Sequence, residues 1–234
     1  MLAILFAVLI PSVGRGAAAA RAMRCQTSLR SITFDFLVFA DSSLHPRRGD
    51  DEARGSGRFA LDTFIESQYG VDEFWEYGAA PVATRRIVKG SDDPMRCLEV
   101  RGTLLMNRHR ACTNGAVSPP QHVSYGFNLR LTRPDTPGEP GSRPVLLNDG
   151  ILRAGRVPLV WDVDGVAAAA RDPSSNPSFS APPQGADGPF AGDAFWWPGL
   201  RHAGAMNVGF VDGSIAATKS PLSESGWRWD YRAK

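Results

Sequence analysis

The first forty residues constrain the fold most, because they predict one helix longer than a compact domain of this size needs. Met1–Val13 is uncharged and almost wholly apolar, whereas Gly16–Ala40 is amphipathic. Four large apolar residues of the second half share one helical face: Leu29, Ile32, Phe36 and Phe39. Their spacings of three, four and three residues are typical of a buried helical stripe. A helix over these residues would be about 58 Å long at about 1.5 Å per residue. We therefore expect the second half to dock and the first half to project.

The rest of the chain predicts one head domain, residues 41–234, in which strands follow helices. A short second helix is expected at Phe59–Tyr69. The clearest strand patterns are Val123–Leu131, Val157–Val163 and Asn207–Val211. Most of the 18 Pro and 24 Gly residues follow residue 115, so the strands are expected to be separated by long loops. This order predicts an α+β fold in which the long N-terminal helix, residues 1–40, packs on an antiparallel β-sheet.

Charge and motif content argue against several functional classes. The 26 Lys and Arg residues nearly balance the 24 Asp and Glu residues, and the net charge of +2 gives no support for a nucleic-acid partner. The phosphate-binding glycine patterns, the zinc-protease HExxH pattern and the GxSxG elbow of serine hydrolases are absent from the sequence. We therefore predict no cofactor and no enzymatic activity.

Three cysteines are too few for a disulfide framework. If the head lies outside the cytoplasm, Cys97 and Cys112 are the natural disulfide pair, and closing that loop would stabilise the fold by about 3 kcal/mol. If the protein is cytosolic, all three thiols are expected to stay reduced. A CxxC pattern is absent, which argues against a thiolate zinc site.

Asp162 and Asp164 are the candidate metal ligands, since they follow a predicted strand and calcium favours clustered carboxylates. The Asp-x-Asp-Gly pattern is short, however, and is more typical of a turn with two solvated acids. We therefore predict no bound metal.

The segment from Arg201 to Ile215 predicts a hairpin. Asp212-Gly213 is a two-residue turn signal, because a type I′ turn needs positive φ at both positions. A catalytic or metal pair of His202 with Asp212 is disfavoured, since an intervening strand would separate the two side chains by about 20 Å or more. We expect His202 to form hydrogen bonds within the preceding loop.

The apolar start of the chain has three interpretations. It could be a secretory signal peptide, although no positively charged segment precedes it. It could be a membrane span, although thirteen residues cover only about 20 Å of a hydrocarbon core of about 30 Å. It could be the end of a longer apolar helix that Pro11 kinks. The residues assigned to this apolar half, residues 1–13, are Leu2, Ile4, Leu5, Val8, Leu9 and Pro11.

Taken together, these stretches resemble a prepilin-type, pilin-like bacterial family with a C-terminal H-X9-DG domain. The N-terminal match comprises Ile10-Pro11-Ser12-Val13, Ala17–Arg21, Arg24-Cys25 and Leu29-Arg30-Ser31-Ile32. The C-terminal match is His202, nine intervening residues, and then Asp212-Gly213. A Ser-Tyr-Gly-x-Asn segment at residues 124–128 is also similar to the family.

The resemblance implies a pilin-like fold and a structural role, as a pilin or pseudopilin of a type II secretion or type IV pilus-like apparatus. It implies a single transmembrane helix, an inner-membrane location with a periplasmic or extracellular head, and other pilin-like subunits as partners. The family's basic leader and cleavage site have no counterpart before Met1. We expect a start codon placed too far downstream, in which case prepilin peptidase is a further partner.

The alternative function is a secreted carbohydrate-binding module released by signal peptidase. Its candidate binding surface is the aromatic run Phe195-Trp196-Trp197, because aromatic rings can stack on a sugar. These rings are expected instead to cover the sheet or a subunit contact.

Overall fold

A computed structural model describes residues 2–44, 57–69, 95–102, 105–106, 117–118, 120–132, 145–172, 175–183, 185 and 190–232. Within these ranges the α-helices are α1 (Leu2–Ala40), α2 (Leu61–Tyr69) and α3 (Gly165–Arg171). The first strands are β1 (Arg58–Ala60), β2 (Leu105–Met106), β3 (Val117–Ser118), β4 (Tyr125–Asn128) and β5 (Leu146–Asn148). They are followed by β6 (Pro158–Asp162), β7 (Phe179–Ser180), β8 (Met206–Phe210) and β9 (Ile215–Thr218). Short 3₁₀ helices lie at Pro120–His122, Leu129–Leu131, Asp149–Arg153 and Pro221–Ser223.

The long N-terminal helix is confirmed, and its second half packs on the sheet. Four of the residues that face the head are completely buried: Cys25, Leu29, Ile32 and Phe36. Phe39, one turn further along, is 7% exposed. The helix contacts β8 most extensively and also β6 and β9. The predicted docking face of Leu29, Ile32, Phe36 and Phe39 therefore lies inside the core.

The predicted fold class, a pilin-like α+β arrangement with an antiparallel sheet, is wrong in its sheet. Among the described strands the main sheet has five members in the order β7-β4-β6-β8-β9. It is mixed, because β7 runs parallel to β4, with Phe127 opposite Phe179 and Asn128 opposite Ser180. Two further two-stranded sheets pair β1 with β5 and β2 with β3. The sequence did not indicate β7 because it is two residues long and lies in a proline-rich stretch without alternation.

The main sheet is covered on both faces, so all residues of its central strand β6 are buried. Because successive side chains of a strand point to opposite faces, Val160 and Asp162 face α1 while Trp161 points away. The Trp161 ring packs against Trp196 at 5.7 Å and Trp229 at 5.3 Å between centroids. One hydrophobic core contains residues of both α1 and the head.

The hairpin between β8 and β9 differs in type from the predicted one. Phe210 accepts a hydrogen bond from Gly213 N and donates one to Ser214 O, the pattern of a three-residue loop with a bulge at Gly213. Gly213 has a φ of 82°, whereas Asp212 is not in the left-handed region. Asp212 instead accepts hydrogen bonds from the backbone and side chain of Ser214, at 2.9 and 2.6 Å. The predicted type I′ turn at Asp212-Gly213 is therefore wrong, although a turn is present.

The predicted membrane anchor is also corrected. In the described part of the chain, no helix combines the length and the apolar character that crossing a bilayer requires. The predicted single transmembrane helix, and the inner-membrane location inferred from it, are therefore not supported.

Candidate functional site

The strongest concentration of chemically active side chains in the described residues lies between α1 and the sheet. Cys25 from α1, Cys97 from the 95–102 segment and His202 from the loop before β8 are all buried there. The two Sγ atoms are 2.6 Å apart, and Cys97 Sγ lies 3.7 Å from His202 Nε2. One side-chain atom from each of the three residues falls within 4.8 Å of the others. We call these three residues the Cys–Cys–His cluster.

His202 is held by a tight turn that the sequence did not indicate. His202 and Ala205 exchange both backbone hydrogen bonds, at 3.2 and 3.1 Å. The two residues between them, Ala203 and Gly204, have φ values of 56° and 77°. Positive φ at both central positions is the type I′ geometry expected at the next hairpin. A left-handed alanine costs on the order of 1 to 2 kcal/mol, so the surrounding structure must stabilise this turn.

A buried ion pair supports the cluster from the sheet side. Arg201 donates a 2.7 Å hydrogen bond to Asp162 Oδ1, and the side chain of Asp162 is fully buried. Asp162 Oδ2 accepts a 2.8 Å hydrogen bond from Asn207 N and lies 3.6 Å from His202 Nε2. Arg201 also donates to the backbone oxygen of Ser124 at 2.7 Å. His202 therefore lies between a carboxylate and the Cys97 sulfur.

The electrostatics differentiate the two thiols. The pKa of Cys97 is lowered to about 4, first by the hydrogen bond with the Cys25 thiol and then by His202 and Arg201, against the opposing effect of burial. The same hydrogen bond, with burial, raises the pKa of Cys25. The pKa of His202 is raised, chiefly by its contact with Cys97 and also by Asp162 and Glu99. Of the two thiols, Cys97 therefore loses its proton more readily than Cys25.

Burial acts on the carboxyl group of Asp162 in the opposite direction to its ion pair. Desolvation raises the pKa of Asp162 from 3.8 to about 6, although Arg201 and the Asn207 N–H favour the ionised form. The carboxylate consequently costs folding free energy that its partners only partly offset.

The distance between the two sulfur atoms distinguishes a metal site from a direct sulfur–sulfur contact. Tetrahedral zinc with bonds of about 2.3 Å to sulfur separates two thiolates by about 3.7 Å. The observed separation of 2.6 Å leaves no room for an ion between Cys25 and Cys97. As arranged, the cluster is suited to thiol chemistry.

The structure separates the two predicted metal candidates. Asp162 belongs to the ion pair described above, whereas Asp164 caps α3 by accepting 3.0 Å hydrogen bonds from the backbone of Val166 and Ala167. The two residues are separated because β6 ends at Asp162, so that Asp164 is the N-cap of the following helix.

A cavity of about 340 Å³ adjoins the cluster and includes Glu99, Arg101, Asp164 and Arg201 in its walls. Two of these charged groups already have protein partners, since Arg201 pairs with Asp162 and Asp164 caps a helix. These two groups are therefore engaged within the protein and are not free to hold a ligand.

The remaining predicted site residues have different positions. Asp212 and Gly213 form the β8–β9 turn and are not part of the cluster. Cys97 lies against Cys25, and Cys112 lies outside the described residues, so the pairing of Cys97 with Cys112 stays a prediction. The side chains of Leu2, Ile4, Leu5, Val8, Leu9 and Pro11 also lie outside what the structure describes.

The aromatic run proposed for carbohydrate binding packs inward. Trp196 is 8% exposed and Trp197 is 5% exposed. Trp196 contacts Trp229 at 5.6 Å between ring centroids, and Phe195 contacts Trp197 at 6.4 Å. Neither tryptophan offers the open ring face that stacking on a sugar requires.

Sequence reasoning missed Cys25, Arg201 and Glu99 as parts of the site. A signal for Cys25 was present, because it lies four residues before Leu29 and extends the buried helical face by one turn. The contacts of Arg201 and Glu99 depend on strand order and had no local signal.

Comparison with known proteins gives no relative from which a function could be transferred. Searches found no matching protein-family model, no matching curated protein and no matching solved structure.

Proposed function

We propose that this protein is a structural subunit of a pilin- or pseudopilin-like assembly, of the type II secretion or type IV pilus-like kind, and not an enzyme. In this proposal the projecting half of α1 packs against the same half of neighbouring subunits while the heads face outward. The partners are further copies or related pilin-like subunits. The proposal includes no membrane anchor.

The observation that carries the proposal is the division of α1 into a docked half and a projecting half. From Cys25 onward one face of the helix is buried in the head, whereas residues 13–21 are exposed all round. Val13 is 68% exposed and Met23 is 69% exposed. The 23 residues before Cys25 extend about 34 Å at about 1.5 Å per residue. In this proposal a partner helix covers the exposed stretch of α1 at residues 13–21.

The composition of the projecting half fits association with other helices. Met1–Val13 is uncharged and almost wholly apolar, and the stretch that follows contains Gly16 and four consecutive alanines that allow close approach. Burying apolar surface contributes about 25 cal/mol per Å², so lateral contact along several helical turns would drive assembly.

The test compares the assembly of the full-length protein with that of a variant changed only in the projecting half. Sedimentation velocity over a range of concentrations and negative-stain electron microscopy should show ordered filaments or defined oligomers of the wild type. The double variant Leu5→Glu with Leu9→Glu should stay monomeric, because charges would be buried in the helix contacts. Its unfolding midpoint should match that of the wild type.

The matched control is Leu222→Glu, which changes an exposed leucine of the head. This variant should assemble like the wild type. A wild-type chain that stays monomeric at all concentrations, or assembly that the double variant leaves unaffected, would contradict the proposal. Amorphous aggregates without uniform diameter would count against it as well.

A further inference from the structure

We propose that Cys25 and Cys97 form a disulfide that covalently links α1 to the head. The two residues are 72 positions apart, yet their Sγ atoms are 2.6 Å apart in the core. The S–S bond of a disulfide is about 2.05 Å long, so the two sulfur atoms lie about 0.5 Å beyond bonding distance. The inference goes beyond the proposed assembly, since the linkage can exist whether or not the subunits associate.

The position of the pair gives the linkage a structural role. Cys25 is the first fully buried residue of the docked face, at the point where the projecting half of α1 leaves the head. Cys97 belongs to the segment that contacts this part of the helix, where Arg21 lies 3.7 Å from Glu99. A covalent bond at this point fixes α1 to the head and prevents the docked half from separating from the head where the projecting half begins.

The surroundings of Cys97 favour its role as the attacking sulfur. His202 Nε2 lies 3.7 Å from its Sγ, and the neighbouring Arg201 adds positive charge. Cys25 lies in the same cluster within 4.8 Å, but the 3.7 Å contact with His202 Nε2 and the effect of Arg201 are those of Cys97. The backbone oxygen of Cys25 accepts a 3.3 Å hydrogen bond from Tyr125. Cys97 is therefore the nucleophile and Cys25 the resolving thiol.

The oxidant required is an organic disulfide. The Cys97 thiolate attacks one sulfur of that disulfide, forms a mixed disulfide and releases one thiolate. Cys25 then loses its proton and attacks Cys97 Sγ, forming the protein disulfide and releasing the second thiolate. Two protein thiols are oxidised and one organic disulfide is reduced to two thiols. Because both sulfurs are buried in the folded state, the first attack takes place before α1 docks or during its transient release.

The experiment uses the full-length chain and glutathione disulfide as the oxidant. The protein is fully reduced, reoxidised under native conditions, then denatured with EDTA and an alkylating agent, and digested with trypsin. Cleavage at arginine places Cys25 in peptide 25–30, Cys97 in peptide 97–101 and Cys112 in peptide 111–130. Mass spectrometry should find peptide 25–30 linked to peptide 97–101, with peptide 111–130 alkylated.

Two controls test whether the fold directs the pairing and whether the proposed order of attack is correct. Reoxidation in concentrated urea should give a mixture of pairings, and Cys112→Ser should leave the native linkage intact. In Cys25→Ser, Cys97 should accumulate as the mixed disulfide with glutathione, because the resolving thiol is missing. In Cys97→Ser, Cys25 should acquire glutathione more slowly.

Several results would overturn the inference. Alkylation of all three cysteines after native reoxidation would exclude the linkage, and it would also be the result if the cluster held a metal that EDTA removes. A Cys97–Cys112 linkage in the native sample would assign Cys97 a different partner. Equal rates of glutathione addition in the two serine variants would refute the assigned roles.

Discussion

Arg201 is the residue on which the buried polar network of the head depends. It neutralises the fully buried Asp162 and also donates to the Ser124 backbone. Removing one partner of a buried ion pair leaves an uncompensated charge, which typically costs 3 to 5 kcal/mol. The same pair contributes little net stability compared with a well-packed apolar replacement of both partners.

Arg201→Met should therefore lower the unfolding free energy by about 3 to 5 kcal/mol at pH 7. Folding raises the pKa of Asp162 from 3.8 to about 6. The stabilising contribution of this group is therefore complete below pH 3.8 and is lost as the pH rises through about 6. Without Arg201 the pKa of Asp162 in the folded state rises further, so the folded state loses more stability as the pH rises. The deficit of the variant should consequently shrink as the pH falls towards 4.

Urea denaturation of both proteins at a series of pH values measures this deficit. The control is Arg101→Met, which changes an exposed arginine of the adjoining segment and should shift the free energy by less than about 0.5 kcal/mol. A deficit for Arg201→Met that grows on acidification would show that Asp162 is not the group responsible.

At the scale of elements, α1 is tied to the head by one apolar face. Phe36 is fully buried and meets Phe59 and Phe64 edge to face, at 6.1 and 5.4 Å between ring centroids. Phe34 lies two residues away on the same helix and is 61% exposed. Phe36 and Phe34 are therefore suited to a comparison of substitutions, because they differ in burial within the same helix.

Phe36→Ala should cost about 3 to 5 kcal/mol, because it removes the burial of the ring and leaves a cavity between α1, β1 and α2. Phe34→Ala should change stability by less than about 0.5 kcal/mol. Urea unfolding followed by circular dichroism measures both. Equal effects of the two substitutions would mean that the helix does not dock by the face described.

The contact between α1 and the main sheet depends on the lack of a side chain at Gly209. A Cβ at this position of β8 would lie 2.6 Å from Thr33 Cγ2 and 3.2 Å from Val160 Cγ1. Gly209→Ala should therefore force α1 outward and cost about 1 to 3 kcal/mol.

The double variant Gly209→Ala with Thr33→Ser provides the test of that cause. Serine lacks the clashing Cγ2 methyl group but keeps the hydroxyl that donates to Arg30 O at 3.0 Å. Thermal denaturation of the two single variants and the double variant should show partial recovery in the double variant. If the destabilisations of the two single variants simply added in the double variant, the contact between Gly209 and Thr33 would not be the source of the strain.

These elements also show which features the sequence could predict. The helix and its buried face were readable because both depend on the spacing of residues such as Leu29 and Ile32 within one segment. The central strands were readable for the same reason, since β6 falls within the predicted run at residues 157–163 and β8, at residues 206–210, overlaps the predicted run at residues 207–211. Strand β7 was not, because two residues carry no periodicity.

The candidate site could be predicted only in part, because its residues come from distant segments. His202 was singled out by motif, but the expected partners lay within its own loop. Its contacts with Cys97 and Asp162 arise because the sheet places β8 beside β6 and beneath α1. The distance estimated along one strand therefore applied only to the pair His202 and Asp212. It could not show which side chains of neighbouring elements lie close to His202.

At the scale of the whole molecule, α1 belongs to two environments that meet near Cys25. The docked half shares the core of the head, whereas residues 13–21 are exposed. If this division is correct, the projecting half contributes nothing to the stability of the isolated subunit. The same substitution should then destabilise the head on one side of Cys25 and leave its stability unchanged on the other.

Proline provides that substitution, because it removes a helical hydrogen bond and clashes with the preceding turn at a cost of about 3 kcal/mol or more. Ala18→Pro and Ser31→Pro both replace exposed residues of α1, one before and one after Cys25. At dilute concentration, Ala18→Pro should leave the urea midpoint of the head unchanged and reduce only the helical circular dichroism. Ser31→Pro should lower the unfolding free energy by about 3 kcal/mol or more. If Ala18→Pro destabilised the head as strongly, the helix would be one cooperative element along its whole length, and the free half on which the assembly proposal depends would not exist.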